Sequence, residues 1–105
     1  MTDEKEFEEH FGRLRESFRA RLPDYQASLV KARSGFIASG ADGVREIRKV
    51  AHTLAGAAGT FGFPEIGEVA LEVEVAADAV LSGEDTREAV IGPLRQLIRE
   101  IELSL

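Results

Sequence analysis

The apolar residues of this chain recur every three or four positions in five segments separated by Gly and Pro, and that spacing leaves few folds open to it. Such spacing gathers them on one face of an α-helix, and nothing alternates with period two over a length that could make a strand. The first segment, about residues 3–21, carries Phe7, Phe11, Leu14 and Phe18, with Asp3 and Glu6 as a capping pair. Leu22-Pro23-Asp24 breaks the pattern, and a second helix is expected to about Ser39, with Tyr25, Leu29, Ala32 and Phe36 inward and Gly40 as its stop. The third, capped by Asp42, covers about residues 42–61 with Val44, Ile47, Ala51, Leu54, Ala58 and Phe61 on one face, and Gly62 ends it. Pro64 opens a fourth, with Ile66, Val69, Ala70, Val73, Ala76, Ala77 and Val80 inward, which stops at Ser82-Gly83. A fifth, from Asp85 with Glu88 as capping partner to about Ser104, carries Val90, Leu94, Leu97 and Ile101, with a kink expected at Gly92-Pro93.

Short turns between amphipathic helices favour antiparallel neighbours. The expected fold is therefore all-α, an antiparallel up-down four-helix bundle over residues 23–105. An additional N-terminal helix over residues 1–22 covers one end, and the whole of 1–105 forms a single domain. A chain of 105 residues buries one core but not a nucleotide-binding fold besides. Any ATP chemistry must then come from a partner. Nineteen acidic against 13 basic residues give a net charge of −6, which repels phosphate backbones and argues against a nucleic-acid role. There is no Cys, and the two histidines, His10 and His52, lie far apart, so no metal site is expected. The acidic start MTDEKEFEEHF and the lack of a long apolar run argue against a secretory signal and against membrane insertion, so a cytoplasmic location is expected.

The position of His52 on the third helix is the informative one. At about 100° per residue, the centre of the apolar stripe lies roughly 130–140° around the helix from it, so the imidazole should face water. Its own face holds Arg45, Arg48 and Lys49 on the N-terminal side and Ala55, Gly56 and Gly59 on the C-terminal side. A glycine inside a helix costs about 0.8–1 kcal/mol relative to Ala, so these small residues imply that something approaches closely. Nearby cations disfavour the imidazolium, keep the ring neutral and nucleophilic, and attract a phosphoryl group, toward which Arg48 and Lys49 can reach. His10 lies in EEHF on an acidic face and is read as solvated. Glu65, Glu68, Glu72, Glu74, Asp78, Glu84 and Asp85 leave Val50–Thr86 without Lys or Arg, and are also read as solvated surface.

These residues resemble the histidine-containing phosphotransfer (HPt) domains of two-component phosphorelays. The family signature is His-x-Leu-Lys-Gly with a further Gly six residues on. Here it reads His52-Thr53-Leu54-Ala55-Gly56 and then Gly62, departing only at Ala55, where the family usually has lysine. The resemblance spans roughly residues 24–104. It implies a four-helix bundle with the histidine exposed on its second helix, His52 as phosphoacceptor, and Gly56 as the gap beside it. A phosphocarrier is implied rather than an enzyme with kinase activity of its own: His52 takes the group from a receiver-domain aspartate and passes it to another receiver. Response-regulator receiver domains are the implied partners, with a hybrid histidine kinase as a further candidate. The chain would need no cofactor of its own, Mg²⁺ being brought by the partner receiver. Arg48 and Lys49 are the expected phosphate-supporting residues, and Arg45, Ala55, Gly56 and Gly59 the expected docking surface. Two other readings fit the same residues: a detached phosphoacceptor domain of a chemotaxis-type histidine kinase, and a non-catalytic helical interaction module in which His52 is incidental.

Overall fold

In a computed structural model the described residues form four helices, α1 (Thr2–Ser39), α2 (Ala41–Ala57), α3 (Pro64–Leu81) and α4 (Glu88–Ser104). The structure describes residues 2–105, without the side chains of Thr2 and residues 36–39, so the inward placement expected for Phe36 lies outside the described residues. Each helix packs against its neighbour in sequence and α4 returns to α1, which closes the up-down bundle.

The first two expected helices are one. α1 runs through Pro23 for 38 residues, so there is no separate N-terminal helix and no break between residues 22 and 23. Proline inside a helix removes one hydrogen bond and costs about 3 kcal/mol. Phe18, Leu22, Tyr25, Leu29 and Ala32 nevertheless form one stripe of steps four, three, four and three across it. Leu22 and Leu29, on either side of the proline, are fully buried, and each such side chain contributes about 1.5–3 kcal/mol only if the helix keeps its phase. Pro23 itself is exposed, so its ring disturbs no packing.

The covering role expected of the N-terminal stretch is divided. Phe18 enters the core and stacks on Phe61 at 5.4 Å and lies 5.7 Å from Phe63, closing the end of the bundle where α2 turns into α3. Arg15 and Arg19 lie over the Phe63 ring at 4.8 and 5.5 Å. Residues 3–10, by contrast, are all exposed, and α1 projects beyond its shorter neighbours in a molecule 53 Å long.

α1 and α2 are joined by Gly40 alone, at φ +68°, a left-handed value that a side chain would strain. The cap expected of Asp42 is absent: Gly40 takes the N-cap position and Asp42, inside the first turn, pairs with Arg45 at 3.0 Å. α2 ends at Ala57 rather than near residue 61, and a run of turns follows in which the Phe63 amide reaches the Ala58 carbonyl. Gly62 takes the left-handed conformation expected of it, at φ +90°. α4 begins at Glu88, with Asp85 accepting from the Thr86 amide rather than capping with Glu88, and runs on through Pro93. The core is built from the expected faces of the last three helices, with Phe61, Ala76 and Val80 packed at its margin.

Candidate functional site

His52 lies on α2 with its back to the core residues Ala51 and Leu54, and its side chain is 70% exposed. Its immediate surroundings come from α3. The two helices run antiparallel in a register that sets Arg48 against Asp78, His52 against Glu74 and Gly59 against Gly67. The last pair makes the register possible: a Cβ on Gly67 would stand 3.3 Å from the Gly59 amide nitrogen, so backbone approaches backbone there.

The Nδ1 atom of His52 is 2.5 Å from Glu74 Oε2. A carboxylate only accepts, so Nδ1 carries the hydrogen and donates it. The neutral ring then keeps its lone pair on Nε2. Glu74 is only 14% exposed, whereas the ring it holds is open to solvent. One nitrogen is thus fixed by the protein, and the other is left for chemistry.

This arrangement corrects two sequence expectations. Glu74 and Asp78 are not merely solvated surface, and the charge nearest the ring is a carboxylate rather than a cation. Their signal was present in the i, i+4 spacing of Glu74 and Asp78, which matches that of Arg48 and His52. It becomes readable only when the antiparallel register is known.

Arg48 gives its Nε–H to Asp78, whose hydrogen bond and charge hold the guanidinium pKa above its ordinary value. That leaves the Nη groups for an anion. Lys49, one turn before His52, is exposed, and no ion pair joins it among the described residues. Arg45 stands two turns away and pairs with Asp42. Ala55 is half-buried, and Gly56 is exposed with nothing within 4 Å of where a Cβ would stand. Among the described residues nothing packs over Gly56, so the space beside the imidazole is open. Gly59 belongs to the turn after α2 rather than to the helix interior. On the other side of Glu74, α3 presents Leu71 and Val75, 54% and 59% exposed, which the sequence reading did not single out. His10 is exposed, as expected.

The site therefore offers a nucleophilic nitrogen, a half-buried carboxylate behind it, a cation to one side and small or apolar ground to the other. Among the described residues no three His, Cys, Asp or Glu side chains gather as metal ligands do, and no helix is long and apolar enough to cross a membrane. Compared with known proteins, residues 13–103 match the family model of the Hpt domain. No curated protein and no solved structure matches the chain.

Proposed function

The chain belongs to the Hpt domain family, whose members carry phosphoryl groups on histidine in two-component phosphorelays, and on that premise we propose that His52 Nε2 exchanges a phosphoryl group with receiver-domain aspartates. The observation that carries this reading is the Nδ1–H···Glu74 contact at 2.5 Å beneath an exposed ring. The Nε2 lone pair attacks the phosphorus of an aspartyl phosphate. A P–N bond forms, the P–O bond breaks, and the aspartate leaves as carboxylate. The ring retains its Nδ1 proton and so becomes cationic, and the Glu74 carboxylate stabilises the charge where it develops. Delivery to a second receiver runs the same steps backwards.

Lys49, with the Nη groups of Arg48, supports the phosphoryl oxygens from the N-terminal side in this reading. The open space at Gly56 admits the partner's pocket, and Ala55, Leu71 and Val75 give it apolar ground to rest on, with Gly59 and Arg45 at the margins. In this reading the receiver, rather than this chain, would supply the Mg²⁺ that neutralises the transferring group.

The test is to mix the chain with a phosphorylated receiver domain and follow the label. Wild type is expected to acquire acid-labile, base-stable phosphate, and His52→Gln, which keeps polarity but lacks the nucleophile, to acquire none while folding normally. Phosphate taken up by folded His52→Gln would remove the assignment. Transfer by neither protein, with receiver binding unchanged by the substitution, would favour a non-catalytic interaction module.

A further inference from the structure

We propose that the projecting N-terminal part of α1 pairs antiparallel with the same segment of a second copy of the chain, forming a symmetric dimer independent of the phosphotransfer chemistry.

Three observations converge on this. The first is an unpartnered apolar stripe: Phe7 is 69% exposed, Leu14 40%, and Phe7 stacks on Phe11 with centroids 6.3 Å apart. Phe7, Phe11 and Leu14 follow one another by four and three, the spacing of a helix that lies against another helix. Residues 3–10, Phe7 among them, are exposed, as is Leu14, and Phe11 is half-buried, so the described residues of its own bundle leave most of the stripe uncovered.

The second observation is charge, and it fixes the occupant. Residues 3–9 hold five carboxylates and Lys5, a net −4, whereas residues 13–21 hold four arginines and Glu16, a net +3. At about 100° per residue, Glu4, Glu8, Arg15 and Arg19 fall along a single edge of the stripe. Their order is symmetric about the midpoint between Phe11 and Gly12, acids before it and arginines after. In an antiparallel helix pair each edge meets its own copy reversed. Glu8 then meets Arg15 of the second copy and Glu4 meets its Arg19, and the twofold axis makes each contact twice. A parallel pair would set acid against acid and arginine against arginine, which the same charges oppose.

The third lies at the bundle end from which the helix projects. Arg15 and Arg19 line a groove there together with Leu103 and Leu105, which are 71% and 56% exposed. Among the described residues the buried Nε of Arg19 has no hydrogen-bond partner, and the one ion pair of its guanidinium, to Glu16, is 3.7 Å long. This end of each molecule thus offers leucines and arginines, while the projecting helix offers phenylalanines and carboxylates. One chain carries both halves of the complement.

Sedimentation equilibrium on the full chain tests this. The apparent mass should rise with concentration from 11.4 kDa towards twice that value. Glu8→Arg alone and Arg15→Glu alone should each raise the dimer dissociation constant at least about tenfold, by opposing like charges. The double variant should regain the dimer, and an equimolar mixture of the two single variants should form it too, because each contact again joins opposite charges. Residues 8 and 15 stand two turns apart within one chain, so this rescue has to be intermolecular. Because Arg15 also covers Phe63, Phe7→Ser gives a second arm that leaves the core untouched, and it should weaken the dimer as well. A wild-type chain that stays monomeric to about 1 mM overturns the proposal. Single variants that dimerise like wild type, or mixed singles that remain monomers, overturn it equally. So does a monomer that loses receiver binding on Phe7→Ser, which would assign the stripe to that partner.

Discussion

The two nitrogens of His52 are made unequal by one side chain, and the consequence is measurable. Glu74 accepts from Nδ1, which selects the tautomer and prepares the site for a ring that turns cationic once Nε2 is phosphorylated. A hydrogen bond to a charged group contributes about 1.5–3 kcal/mol. Glu74→Gln preserves shape and an acceptor oxygen but removes the charge, so transfer from a phosphorylated receiver is expected to slow by about 10- to 100-fold. Nitrogen NMR of the His52 ring should show the Nδ1–H form losing population in parallel. Unchanged rates together with an unchanged tautomer would show that Glu74 is a bystander. The sequence exposed His52 and its own-helix neighbours, which share its helical phase; Glu74 stayed hidden because it stands 22 positions away on another element.

For the helices, the seam between α2 and α3 makes two glycines behave oppositely. Gly56 faces open space, whereas a Cβ on Gly67 would lie 3.3 Å from backbone that cannot swing aside. Replacing glycine by alanine inside a helix gains about 1 kcal/mol of intrinsic propensity where nothing else changes. Gly56→Ala is therefore expected to stabilise the fold by about that amount, while Gly67→Ala should lose stability, because prising the seam apart outweighs the gain. Denaturant titration of the pair checks this. If both substitutions stabilise, the close approach of Gly59 and Gly67 is not maintained in solution. The same seam shows how tertiary packing overrides a local signal at α1. Pro23 reads as a helix break, but the buried stripe on either side of it holds the helix continuous.

Across the whole molecule the balance is acidic, with a net charge of −6, and the cations that share the face of His52 on its own helix, Arg45, Arg48 and Lys49, are on its N-terminal side. Lys49 is the one placed to meet a phosphoryl group without first leaving an acidic partner. Lys49→Ala is expected to slow transfer at low ionic strength and still at about 1 M salt, where the Debye length has fallen to about 3 Å and long-range steering is screened out. Ala55→Lys, on the opposite side of the imidazole, should restore part of the rate by returning a cation to the face. Stopped-flow transfer assays over a salt series separate the possibilities. A Lys49→Ala defect that vanishes at high salt would leave steering as its only role, and direct support of the phosphoryl group would have to be given up.

The helical class, the core faces of the last three helices, the turns at Gly40, Gly62 and Gly83, and the exposure of His52 were legible in the residues alone. All of these follow from periodicity and from backbone preferences that act within a few residues. Three other features depended on how the helices pack. Whether Pro23 ended a helix depended on how much apolar surface was gained by keeping Phe18, Leu22 and Leu29 in one phase. Whether Phe7 and Leu14 were buried depended on how far the neighbouring helices reached, which leaves them in the open. Whether an acidic helix face met a basic one depended on the register of α2 against α3, set by glycine contact at the turn. Local sequence specifies which way a side chain points from its own helix; what stands opposite is specified by packing between helices, and so Glu74 and Asp78 took on their partners only in the folded bundle.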